Sequence, residues 1–218
     1  MSSAFLLSSP LAEFLSASHE RAPSGIGVHL SECPVSAQLV LRGRVEDPEF
    51  LKGVQRVLGI SIPVRPNTYE ENNRHATLWL GPDEWLVITP TATDADTAQE
   101  LRFALQGTPS AITDVSHGQT IIRIRGDRAL DVLRKGCSLD LHPSVFGPGR
   151  CAQTLVAKAA IAIRWVDRSP SFDLIVRRSF AEYLALWLKD SAREYGLAVG
   201  CDERGKDSLT LGARKQHV

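Results

Sequence analysis

Gln38-Leu-Val-Leu-Arg-Gly-Arg-Val-Glu-Asp-Pro-Glu-Phe-Leu-Lys-Gly-Val-Gln-Arg-Val-Leu-Gly59 reads as strand, turn and helix in succession. The strand covers 38–42 and stops at Gly43. Asp47 suits the N-cap, where a carboxylate accepts from the first unpaired amides, and Pro48 suits the first helical position. Phe50, Leu51, Val54, Val57 and Leu58 then form one apolar stripe, which Gly59 ends. After a loop over 60–73 containing Pro63 and Pro66, strands are expected over 76–80 and 85–89, joined by the turn Gly81-Pro82-Asp83-Glu84. Thr93 or Asp94 opens a second helix through Leu105, closed by Gly107, and 111–115 is a short strand. The order β-α-β-β-α-β is that of a ferredoxin-like unit.

A similar order follows. A strand over 120–125 ends at Gly126. Asp127 caps a short helix through Ala129, Leu130 and Leu133. Strands are expected over 152–157, 159–166 and 172–177, the second alternating Ile161, Ile163 and Trp165 with Ala160, Ala162 and Arg164. Ser179 caps a long helix with Phe180, Leu184, Trp187, Leu188 and Tyr195 on one face, ended by Gly196. Val40 to Gly43 matches Ile122 to Gly126, and the hairpin and helix from Trp79 match those from Trp165. The reading is an α+β protein made by internal duplication, two β-α-β-β-α-β units packed together. Its divisions are an extended N-terminal arm over 1–35 with one helical turn near 11–15, a first unit over 36–117, a second over 118–201, and a mobile tail over 202–218.

Composition narrows the function. The chain has 218 residues, 43% of them apolar, with 25 Lys and Arg balanced by 25 Asp and Glu. Zero formal charge argues against a polyanion partner. No apolar run approaches the roughly 20 residues of a membrane span. No Lys or Arg precedes Phe5-Leu6-Leu7, which argues against a secretory signal. Cys33, Cys137, Cys151 and Cys201 lie far apart and are read as reduced thiols of a cytoplasmic protein.

Candidate chemistry is sparse. Cys137-x4-His142 with Cys151 lacks the paired spacing and fourth ligand of a structural zinc site. Asp114-Val-Ser-His-Gly118 groups an acid, a hydroxyl and an imidazole, but a turn in which Asp114 or Ser116 holds local amides explains it better than a triad. Arg42, Arg44, Arg123, Arg125, Arg128 and Arg177-Arg178 mark strand ends, read as solvated positions or a subunit interface. An RNA-binding sheet is the rival there, without the aromatic pattern it needs. Gly25-x-Gly27 opens no helix, so it is no nucleotide loop. Trp79, Trp85, Trp165 and Trp187 belong to packed elements. Trp79, Trp85 and Arg178 are the candidates for a subunit interface, and no residue is assigned to catalysis, cofactor or metal.

Five strings in register carry a resemblance: Trp79-Leu-Gly-Pro-Asp-Glu-Trp-Leu86, Asp114-Val-Ser-His-Gly118, Lys135-Gly-Cys-Ser-Leu-Asp-Leu-His-Pro143, Cys151-Ala-Gln-Thr154 and Arg178-Ser-Phe-Ala181. Over about residues 35–196 the chain resembles the gamma subunits of heterotetrameric sarcosine oxidases. The resemblance implies a fold similar to the folate-binding domain of glycine-cleavage aminomethyltransferases. It also implies a non-catalytic place in a complex that demethylates sarcosine to glycine, passing the one-carbon unit to tetrahydrofolate or releasing formaldehyde, and producing hydrogen peroxide. FAD, FMN, NAD, tetrahydrofolate and zinc would belong to alpha, beta and delta partner subunits. The alternatives are a stand-alone folate-binding or aminomethyltransferase-like protein and an RNA-binding α+β module. No folate-ligand motif is placed on this sequence.

Overall fold

A computed structural model describes residues 9–17, 25–34, 36–89, 95–167 and 169–201. The expected caps for Thr93 or Asp94, and the tail from 202, lie outside these residues.

The first unit begins with β2 (Ala37–Arg42) and α2 (Pro48–Leu58). Asp47 Oδ1 accepts from the amides of Glu49 at 2.9 Å and Phe50 at 3.4 Å, and Gly59 closes the helix at φ 67° with its amide on the Gln55 carbonyl. That left-handed φ is the conformation for which glycine carries no Cβ penalty. The unit continues with β3 (Tyr69–Glu71), β4 (Ala76–Gly81), β5 (Glu84–Thr89), α3 (Ala95–Ala104) and β6 (Ala111–Asp114). Its sheet runs β3-β4-β5-β2-β6, with every neighbouring pair antiparallel.

The second unit holds β7 (Gln119–Arg125), α4 (Ala129–Arg134), β8 (Cys151–Val156), β9 (Ala159–Asp167), β10 (Ser171–Arg177), α5 (Arg178–Ser191) and β11 (Leu197–Cys201). Two earlier elements join it, α1 (Ala12–Ala17) and β1 (Val28–Glu32). Its sheet runs β11-β1-β7-β10-β9-β8. Set beside the first sheet, β8-β9-β10-β7-β11 repeats β3-β4-β5-β2-β6 with β1 inserted before the last strand. β1 is antiparallel to β7 and parallel to β11, so β11 keeps the direction that β6 has against β2.

The stretch expected as an extended surface arm therefore supplies an interior strand and, through Leu11 and Phe14, part of the core. Close approach at glycines admits the strand. A Cβ on Gly126, whose φ is +118°, would sit 2.4 Å from the Gly27 carbonyl oxygen; one on Gly27 would sit 2.7 Å from that of Tyr195.

Period-two alternation divides each sheet between two cores, giving four layers. On the outer face of the first sheet, Leu39, Leu41, Trp85 and Val87 pack under Phe50, Val54 and Leu58 of α2 and Leu101 of α3. On the outer face of the second, Ile122, Ile124, Ile163, Phe172 and Leu174 pack under Val132 and Leu133 of α4 and Leu184 and Leu188 of α5. The inner faces meet along a seam of Leu78, Leu86 and Ile88 against Ile121, Cys151 and Ile175.

Three helical details differ from expectation. The N-caps of α4 and α5 are Arg128 and Arg177, neither with a side-chain cap, rather than Asp127 and Ser179. Phe180 is exposed beside Tyr183, and the buried stripe of α5 is Ala181, Leu184, Ala185 and Leu188. Tyr195 lies in a separate 3-10 turn, where it packs against Lys135 and Arg128. Among the described residues no helix is long and apolar enough to cross a membrane.

Candidate functional site: the seam between the half-sheets

The polar residues with the most partners lie where the two inner faces meet. Asp173, at the middle of β10, is 1% exposed. Its Oδ1 accepts from Arg123 Nε at 2.6 Å. Its Oδ2 accepts from Arg123 Nη2 at 3.0 Å and from Arg164 Nε and Nη2 at 3.0 and 2.8 Å. Arg164 also donates Nη1 to Glu71 Oε2 at 3.0 Å and lies over the Tyr69 ring, so β9 of the second unit grips β3 of the first. Tyr69 adds a bond from its hydroxyl to the Trp165 carbonyl at 2.7 Å. Burial alone would push the Asp173 carboxyl up, but the two guanidiniums outweigh it and hold the group below its ordinary range. Burial pushes the Tyr69 phenol up to about 12, and Glu71 adds to the rise. Two cations and two carboxylates sum to zero, the condition under which buried charge is tolerated.

Along the same seam, Glu32, Ser36, Gln38, Ser116, Gln119, Thr120 and Arg178, with Pro10, Pro34 and Ile121, line a cavity of about 20 Å³. Glu32 accepts from the Thr120 hydroxyl at 2.5 Å and also from that of Ser9.

The candidates read from the sequence separate in space. Asp114 and Ser116 form a local turn: Asp114 Oδ1 accepts from the Ser116 amide at 2.9 Å and from its hydroxyl at 2.5 Å. Burial would raise the Asp114 carboxyl, yet these bonds hold it below its usual range. Ser116 Oγ in turn accepts the amide of Gln38 at 2.9 Å. The hydroxyl is thus committed to joining the turn to β2, and His117 is exposed. Cys137, His142 and Cys151 have different neighbours: Thr154, Ser144, and the Thr68 carbonyl respectively. Burial pushes the Cys151 thiol up to about 11, which leaves it protonated at neutral pH. Cys33, Cys137 and Cys151 form no disulfide, and among the described residues no group of three or more His, Cys, Asp or Glu is placed to hold a metal.

Of the interface candidates, Trp85 is fully buried, with its indole nitrogen donating to the Pro63 carbonyl at 2.8 Å and its ring against Phe50. That removes it from any surface. Trp79 is half-buried against the same core, and Arg178 lines the seam cavity. The expectation of solvated arginines fails for Arg123, which is inside the ion cluster, whereas Arg42 is a surface residue paired with Asp83. Both sheets are covered on both central faces, by helices outside and by each other inside, so neither offers the open platform an RNA-binding sheet uses. Sequence reasoning missed Arg164, Asp173 and Glu71. The available signal was a charged residue in each of two otherwise apolar strands, Ile161 to Trp165 and Phe172 to Val176.

The sarcosine oxidase gamma subunit family matches residues 42–194. The chain belongs to that family. It is 38% identical over 120 residues to a sarcosine oxidase subunit gamma from Corynebacterium sp. (strain P-1), and equally to one from an Arthrobacter species; each match covers 55% of this chain. The chain spans only 58% of the length of these relatives. Its fold superimposes on a chain of the heterotetrameric sarcosine oxidase from Corynebacterium sp. U-96 with TM-score 0.79 and 28% identity, covering 86% of this chain and 95% of that one. Glycine cleavage system aminomethyltransferase T from Bartonella henselae shares the fold at TM-score 0.64 and 12% identity, over 88% of this chain and 58% of that one. The α+β fold expected from the sequence is the one observed, and it is shared with this aminomethyltransferase.

Two of the five strings meet across the units, Cys151-Ala-Gln-Thr154 against Trp79 and Leu80, and a third serves packing inside the second unit. Gly136 leaves room for the Trp187 ring, to which a Cβ would come within 2.5 Å. Cys151 bonds Thr68, and Gln153 Nε2 donates to the Leu80 carbonyl at 2.9 Å, both across the units.

Proposed function

We propose that the chain is the accessory, non-catalytic gamma subunit of a heterotetrameric sarcosine oxidase, built against alpha, beta and delta subunits. The assembly would demethylate sarcosine to glycine, deliver the one-carbon unit to tetrahydrofolate or release it as formaldehyde, and reduce oxygen to hydrogen peroxide. FAD, FMN, NAD, tetrahydrofolate and zinc would sit on the partner subunits, in the cytoplasm. The observation that carries this reading is the superposition over 95% of a chain from such an enzyme, joined to the family match. The chemistry of the seam supports it. Arg164 and Cys151 bond Glu71 and Thr68 of the opposite unit, Asp173 and Arg123 complete the ion cluster within the second unit, and Ser116 is tied to Gln38 within the first. Half-buried Trp79 and Arg178 remain the interface positions proposed here.

The test is to tag the chain in its native host, purify it gently, and record native mass with the visible absorption spectrum. A yellow assembly several times the 23.9 kDa of this chain, with flavin bands carried by co-purifying chains, is the expected result. A colourless particle of one or two copies would reject it. Saturable tetrahydrofolate binding by the isolated chain would favour a folate-binding protein instead.

A further inference from the structure

Among the described residues, three buried side-chain atoms have no hydrogen-bond partner: Ser36 Oγ, Gln38 Oε1 and Gln119 Oε1. All three belong to residues lining the seam cavity. Gln38 is 2% exposed and Ser36 8% exposed, so bulk water does not satisfy them. A buried polar atom left without a partner is costly, and native proteins seldom tolerate one. Three at one cavity point to a guest rather than to three separate faults.

The walls define that guest. Two carboxamide oxygens and a hydroxyl call for a hydrogen-bond donor. The two formally charged groups of the lining, Glu32 and Arg178, cancel, and an added ion would bring an uncompensated charge into a buried site. The enclosed part, about 20 Å³, has room for one or two water molecules. We propose that the cavity binds one or two ordered water molecules, held by Gln38 and Ser36 of the first unit and Gln119 of the second, which bridge the half-sheets at the Gln119 end of β7. The site is independent of the proposed function.

Two measurements test it. A crystal structure of the full chain, free or assembled, at a resolution that shows solvent should place a water within hydrogen-bond distance of at least two of the three atoms. Direct pairing of the three atoms with one another, a dry cavity, or a partner's side chain filling it would overturn the proposal. In thermal unfolding, Gln38→Met and Gln119→Met should each lower Tm by about 2–4 °C. The double variant should fall short of their sum, because the second substitution removes a bond to water already lost. Additive shifts would contradict a single water shared by Gln38 and Gln119 and require two separate ones, whereas no shift in either variant would overturn the proposal.

Discussion

In the first half-sheet the seam-facing positions Val40, Leu78 and Leu86 are apolar; in the second, the topologically equivalent positions are Arg123, Arg164 and Asp173. The equivalence follows from strand pairing. Trp79 opposes Trp85 as Trp165 opposes Phe172, Leu78 opposes Leu86 as Arg164 opposes Asp173, and Val40 opposes Leu86 as Arg123 opposes Asp173. The outer-face positions agree in kind: Leu39 with Ile122, Leu41 with Ile124, Trp85 with Phe172, Val87 with Leu174. At these positions the face that packs under helices is apolar in both sheets. A face that meets another sheet accepts either an apolar set or a charged set that the opposite sheet completes, here through Glu71. The charged set adds something the apolar one lacks, a directional bond from Arg164 to Glu71 on the opposite unit.

The largest expected effect breaks this set by one member. Asp173→Leu should destabilise the chain by about 3–5 kcal/mol in denaturant unfolding, since it removes the buried carboxylate that both guanidiniums share. Converting the second half to the first, as Arg123→Val/Arg164→Leu/Asp173→Leu, should match the wild type or exceed it by about 1–4 kcal/mol, because Glu71 is exposed enough to be solvated alone. Equal losses in the single and triple variants would break the comparison. The same contrast appears in acid. Asp173 is depressed in the folded chain, so its contribution is present above the ordinary carboxylate value of about 3.9 and is lost as pH falls through the lower folded value. The triple variant should therefore show a shallower loss of stability in acid than the wild type.

A smaller effect concerns the inserted strand. Gly126→Ala should cost about 2–3 kcal/mol, measured the same way, because its φ of +118° and its contact with Gly27 both exclude a side chain. The smallest compares helix starts. Asp47→Ala should cost about 1 kcal/mol, whereas Asp127→Ala, at a position that is not the cap, should stay within about 0.5 kcal/mol.

The parts of this architecture legible in the sequence are those fixed by local chemistry. The Asp47-Pro48 start, the Gly59 stop and the 81–84 turn each act within a few residues, and they place α2 and the β4–β5 hairpin closely. The alternation of β9 is equally local. β1, β3 and β11 were not legible: β1 and β11 are five residues long and exist through pairing with distant strands, and β3 is three residues at the end of a proline-containing stretch. The Asp127 and Ser179 caps fail because composition permits a cap that the backbone path does not use. At the seam, single charges inside apolar strands gave no hint of one another, since Arg123 and Asp173 are fifty residues apart and meet only through the β7–β10 register. The five family strings were legible as a resemblance, yet the bonds that join the strings at 79–86 and 151–154 across the halves needed the fold.

The account's central claim is that this chain shapes and holds an assembly without taking part in its chemistry. The direct measurement is to co-express the partner chains with and without it, then compare the yield of assembled flavoprotein with kcat and KM for sarcosine per assembled flavin. The account predicts that omission lowers the yield while turnover of whatever assembles is unchanged. Full assembly with turnover abolished would contradict it, because that result assigns the chain an interaction made in the transition state.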